Sequence, residues 1–203
     1  MYWPSFRSMW EYEMNPFKHS KKEIRTKFEI DLLHQAQAKE PMKPPHPWSD
    51  EVIIPAAGCI ACGWDADENL VLISSSGYSI TQARSGSRLY RDQDPNVTDD
   101  HISNNYLSFR IPQNGQDISI FGFESGDGIH ITHDGWMLEV IHPWWPRASV
   151  VLDQIFVPNY EYLKHAAMID LNRLDGKIKC GFSPSGQHFV ILGSGGALLY
   201  SRE

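Results

Sequence analysis

The spacing of apolar and polar positions divides the chain into one helical stretch and a long series of short strands. In "HSKKEIRTKFEIDLLHQAQAKEP", Ile24, Phe28, Leu32 and Ala36 recur at every fourth position, with Leu33 beside them. That spacing predicts an amphipathic helix. Ser20 and Glu23 fit a capping box at its start, and Pro41 ends it. Lys21, Lys22, Arg25 and Lys27 give its first turns a positive face, against the sense of the helix dipole. Ahead of it, residues 1–17 are rich in aromatics and predict an irregular arm. After it, "PMKPPHPWSD" (41–50) carries four prolines within seven residues, so it predicts a stiff, extended linker.

From residue 51 the pattern changes. Short apolar runs alternate with turn residues: "CIACGW", "NLVLISSSG", "SITQA", "ISIFGF", "GIHIT", "WMLEVI", "ASVVLDQIFV", "KIKCGF", "HFVILG" and "ALLYS". Many short strands at this spacing predict a mainly β fold of antiparallel meanders, propeller-like or sandwich, with one N-terminal α-helix. Residues 92–105 predict a polar, acidic loop, and 160–172 a short helix. The expected organisation is an arm plus helix (1–40), a linker (41–50) and a β-domain (51–203).

Within the β-domain a short pattern repeats. Cys62-Gly63-Trp64, Phe121-Gly122-Phe123 and Cys180-Gly181-Phe182 are each an apolar residue, a glycine and an aromatic, spaced 59 residues apart. "CGWDADENLVLISSSG" lies over "CGFSPSGQHFVILGSG" without gaps. These segments resemble the inner hairpins of WD40-type β-propeller blades. The resemblance implies blade-like meanders. The sequence lacks a Gly-His…Trp-Asp signature, and three units are fewer than the usual four to eight blades, so a closed propeller is not implied.

Composition narrows the function classes. The 203 residues carry a net charge of −7. Residues 1–50 hold eight Lys/Arg and seven Asp/Glu, and residues 51–203 hold ten and eighteen. An acidic β-domain repels nucleic-acid phosphate and attracts basic surfaces, so a basic protein partner is expected and nucleic acid is not. No apolar run approaches the roughly 20 residues of a membrane helix, and the N-terminus does not read as a signal peptide. The expected setting is the cytoplasm, with no membrane partner.

Candidate chemistry is sparse. Cys59 and Cys62 form a lone C-x-x-C without the second pair of a structural zinc site, and Cys180 stands apart; all three read as buried strand cysteines. Gly181-Phe182-Ser183-Pro184-Ser185-Gly186 is one residue too long for a nucleophile elbow and precedes a strand, so it reads as a β-turn. Gly193-Ser194-Gly195-Gly196 lacks the lysine and helix of a phosphate loop. His130 and His133 face opposite sides of a strand, which leaves a metal site there dependent on a bend and on turn carboxylates such as Asp127 and Asp134. No catalytic residue, cofactor or metal ligand is assigned. The residues that turn chemistry does not explain are the acidic loop, with Asp92, Asp94, Asp99 and Asp100, and Trp144 and Trp145 in "HPWWPRASVV".

These point to a non-enzymatic, acidic protein-binding protein that meets its partner through those six residues. In size and charge the chain is similar to the immunity proteins that neutralise bacterial polymorphic toxins. That similarity implies an inhibitor of a basic, nuclease-type toxin. The alternatives are a metal-dependent hydrolase built on His130 and His133, and a propeller-like scaffold module.

Overall fold

A computed structural model describes residues 25–203 apart from Ser49, Ala57, Arg173 and Asp175. The elements run in chain order as α1 (Lys27–Gln37), β1 (Pro41–Met42), β2 (Asp50–Pro55), β3 (Cys59–Trp64), β4 (Leu70–Ser74), β5 (Gly77–Thr81), β6 (Arg88–Arg91), α2 (Pro95–His101), β7 (Ser108–Arg110), β8 (Asp117–Gly122), β9 (Trp136–Trp144), β10 (Arg147–Gln154), β11 (Ala167–Ile169), β12 (Lys179–Phe182), β13 (His188–Gly193) and β14 (Gly196–Ser201). The protein is mainly β, with an N-terminal helix; among the described residues the strands pair antiparallel except β1 with β11, and no barrel closes. Among the described residues no helix is long and apolar enough to cross a membrane.

Among the described residues three sheets form, in the orders β12-β13-β14-β2, β1-β11-β10-β9 and β6-β5-β4-β3-β8-β7. The first lies between the other two. Every residue of β13 and β14 is buried, because alternate side chains serve two cores. Phe189, Ile191, Leu198 and Tyr200 meet Leu138, Val150 and Leu152 of the β9-β10 sheet. Val190, Leu192, Ala197 and Leu199 meet Cys62, Trp64, Leu70 and Leu72 of the six-stranded sheet. Strands buried on both faces read as unbroken apolar runs, as "HFVILG" and "ALLYS" do. On the outer face of the six-stranded sheet, Val71, Ile73, Tyr78 and Ile80 pack with Phe109 and Ile111, with Val97 of α2 half-buried beside them.

The repeated tripeptides converge. Cys62 and Phe121 are register partners in the β3–β8 pair. An added Cβ at Gly181 would lie 2.8 Å from the Phe121 ring and 2.9 Å from the Gly128 backbone. At Gly63 it would lie 2.5 Å from the Ser119 carbonyl oxygen. The repeat therefore has glycine at its centre because neighbouring backbones and rings come too close for a side chain.

Five local expectations change. α1 begins at Lys27, where Thr26 and Glu29 form the capping box; the Ser20–Glu23 pair lies outside the described residues. Of the predicted stripe, Ala36 is buried, Leu32 is half-buried and Phe28 is exposed, because only the C-terminal half of α1 packs, against Val151 and Met168. The proline-rich stretch does more than space: Pro41 and Met42 pair in parallel with β11, and Trp48 is fully buried, with rings of Trp136, Phe182 and Phe189 centred 5.0–6.0 Å away. The acidic loop contains α2, begun by Asp94 as N-cap and Pro95 in its first turn. Residues 160–172 hold turns and β11 in place of a helix, since Ala167–Ile169 pairs with both β1 and β10.

Candidate functional site

β9 and β10 are the two longest strands among the described residues, and the turn between them carries the tryptophans. The chain reverses between Trp144 and Arg147, which are register partners across the turn. Their sheet is fixed from behind by the core. Trp144 is 42% exposed and Trp145 is 79% exposed. The His142 ring lies 5.4 Å from that of Trp145, and Gln37 of α1 donates to the Pro143 carbonyl at 2.7 Å. The hairpin tip is thus held in place while its indoles stay in water.

Beside this turn lies a groove of about 1430 Å³. The turn contributes Trp144 to Arg147. Buried Met168 and Ile169 of β11, the loop around Leu171, Leu174 and Lys177, and Lys39 and Glu40 after α1 also line it. Its charge differs in sign from the chain as a whole. Its described lining holds four cations, Lys39, Arg147, Lys177 and Lys179, and two carboxylates, Glu40 and Asp170. Lys179 pairs with Asp127, and Lys39 donates to the Ala166 carbonyl at 2.8 Å. Asp170 accepts from the Asn172 backbone N–H at 2.9 Å. Arg147 and Lys177 have no hydrogen-bond or ion-pair partner among the described residues. The sequence placed Arg147 next to the tryptophans, but Lys39 and Lys177 come from distant segments and gave no signal.

The acidic residues belong to the six-stranded sheet and α2. The carboxylate of Asp92 accepts from the Asp94 N–H at 2.7 Å, and that of Asp94 accepts from the Asn96 N–H at 2.9 Å, so both shape the start of α2. Asp99 and Asp100 are exposed, with no such partner among the described residues. The structure brings Trp144 and Trp145 together and groups the four aspartates, but the two groups sit on the outer sheets, with the β12-β13-β14-β2 sheet between.

A second polar cluster has the residue types of a hydrolase. The Ser201 hydroxyl lies 2.7 Å from His188 Nδ1, and Glu68 Oε2 lies 4.0 Å from His188 Nε2. Ser201 is fully buried, and the His188 ring stacks on Trp64. Glu68 sits at φ 56° in the turn of the first repeat and reaches the turn of the third. There it accepts from Ser183 Oγ at 3.1 Å, Ser185 Oγ at 2.5 Å and the Ser185 N–H at 2.7 Å. The cluster fastens two repeat turns together, and its serine has no opening to a substrate.

Burial of His188 moves its pKa down, outweighing the attraction of Glu68; Arg84 adds to the downward shift. The folded state then binds fewer protons than the unfolded state below the ordinary histidine value of about 6.5. His188 therefore contributes stability that is complete above that value and declines as pH falls through it toward the lowered folded pKa. Urea midpoints measured from pH 7.5 downward are expected to fall across this window and to flatten in His188→Gln. An unchanged slope in the variant would remove His188 as the cause.

His130 Nδ1 lies 2.8 Å from the Leu138 carbonyl, and His133 is exposed. The Asp134 carboxylate takes two hydrogen bonds from the Arg202 guanidinium, at 2.8 and 3.0 Å, which hold its pKa well below the usual carboxylate range. Among the described residues no three His, Cys, Asp or Glu side chains group as metal ligands. Cys59, Cys62 and Cys180 are free thiols, buried in the core; burial pushes Cys59 and Cys180 up to about 12. The chain matches no protein-family model, no curated protein and no solved structure.

Proposed function

We propose that this chain is a non-enzymatic protein-binding protein anchored by the Trp144–Trp145 turn. The observation that carries this reading is the exposure of two adjacent indoles on a turn whose strands are rooted in the core. Tryptophan is enriched where binding energy concentrates, since one side chain brings a large apolar area and a donor. Asp99 and Asp100, exposed on α2 of an acidic domain, supply a face for a basic surface. An immunity-type inhibitor of a basic, nuclease-type toxin is the form of this reading that the charge supports. The sealed serine of the Ser201–His188–Glu68 cluster supports the non-enzymatic part.

The test is to isolate the chain with its bound protein from source cells and measure association by stopped flow. For the wild type the association rate is expected to fall about tenfold or more from low to high salt. The Asp99→Asn/Asp100→Asn variant is expected to slow association and flatten that dependence. The Trp144→Ala/Trp145→Ala variant is expected to act on dissociation, speeding it about 30-fold or more. A salt-insensitive association rate, or a tryptophan variant that dissociates like the wild type, rejects the reading.

A further inference from the structure

The tryptophan turn and the acidic helix do not ask for the same chemistry. We infer that the groove beside Trp144 and Trp145 docks an extended acidic segment of the protein partner, with an apolar residue of that segment seated on the exposed indole of Trp145. The inference rests on the reading of the turn as a binding surface, and it names what that surface takes.

Size is the first argument. At about 1430 Å³ the groove exceeds the roughly 300–1,000 Å³ of ordinary small-molecule pockets and suits a length of chain. Charge is the second. Arg147 and Lys177, contributed by separate segments, have no partner among the described residues, and the described lining holds twice as many cations as carboxylates. Each of these two cations has its charge free for an incoming carboxylate, and the arginine offers a bidentate fork. Shape of the lining is the third. Leu171 and Leu174, both half-buried, give the groove an apolar surface, which an all-charged ligand would leave unused. Single-stranded nucleic acid would also stack on tryptophan, but a polyanion must approach a chain of net charge −7, whereas a short acidic segment requires only local complementarity.

The probe is a fluorescein-labelled, end-blocked octapeptide of glutamate, leucine and one proline, titrated into the full chain by anisotropy. Its lysine counterpart and an oligothymidine of equal length serve as comparisons. The glutamate peptide is expected to bind, and to weaken about tenfold or more at high salt. Trp145→Ala and Arg147→Glu/Lys177→Glu are each expected to weaken it about tenfold or more. Thermal midpoints of both variants should match the wild type, as expected for exposed side chains, and Lys177→Glu alone provides a milder charge reversal. No binding of the glutamate peptide, equal binding of the lysine peptide, or indifference to the charge reversals overturns the inference. Tighter binding of the oligothymidine overturns it in favour of nucleic acid. A dimer mass that Trp145→Ala abolishes, without peptide binding, overturns it in favour of a second copy. Failure of the glutamate peptide to bind, or its indifference to Arg147→Glu/Lys177→Glu, leaves the reading of the turn standing, whereas a Trp144→Ala/Trp145→Ala variant that dissociates from the partner like the wild type removes the ground of this inference.

Discussion

Trp48→Ala is expected to cost about 3–5 kcal/mol, the range for deleting a fully buried large aromatic. With a urea dependence of about 2–3 kcal/mol/M, the unfolding midpoint should drop by about 1–2 M. The reason is position. The Trp48 ring touches Trp136 from one sheet and Phe182 and Phe189 from another, and the Arg202 guanidinium lies 4.5 Å from its centroid. Removing it opens a void at the junction of two sheets and leaves Arg202 without its ring contact. Trp145→Ala, at an exposed position, should stay within about 0.5 kcal/mol of the wild type. Equal midpoints for Trp48→Ala and the wild type would mean that the segment from Pro41 to Asp50 is a spacer after all.

Gly181→Ala is the second large effect, at about 1–3 kcal/mol of destabilisation. The added methyl would press on the Phe121 ring and on the backbone of Gly128, and a backbone neighbour cannot rotate away. Gly195→Ala is the matched comparison. Nothing lies within 4 Å of the Cβ it would add, so the change should be within about 0.5 kcal/mol or slightly stabilising. If both variants unfold at the same midpoint, the close approach of the repeats carries no energetic weight.

Most strands were legible because each is a run of apolar residues bounded by turn chemistry, and a strand buried on both faces has nothing else to show. Three kinds of feature were hidden. α2 has seven residues, of which only Thr98 is buried and Val97 and His101 are half-buried, too few apolar positions for a stripe, although Asp94-Pro95 is a start signal in plain view. β11 is three apolar residues whose partners lie at positions 41–42 and 150–152, so its state is decided by pairing and not by local preference. Trp48 was masked by the prolines around it. The candidate site was half visible. Adjacent tryptophans between prolines, with Arg147 beside them, stand out in any sequence, whereas Lys39, Lys177 and Lys179 are gathered by the fold from distant segments. The carboxylates of Asp92 and Asp94 counted toward an acidic loop in the sequence, and in the fold Asp94 caps α2 while Asp92 holds the Asp94 backbone N–H.

The central sheet is completed by a strand from the far end of its own sequence. β2 pairs along its length with β14, and the Tyr200 hydroxyl donates to Glu51 at 2.9 Å. On the ribosome, β2 emerges long before β14, and β13 and β14 are the strands that the two outer sheets pack against. The first sheet to be synthesised must therefore wait with one apolar face bare until the layer that covers it has left the exit tunnel. Contacts this distant in sequence slow folding, and exposed strand edges invite wrong pairing in the interval. Chaperone capture of nascent chains should accordingly peak after β8 is made and collapse once β14 is free.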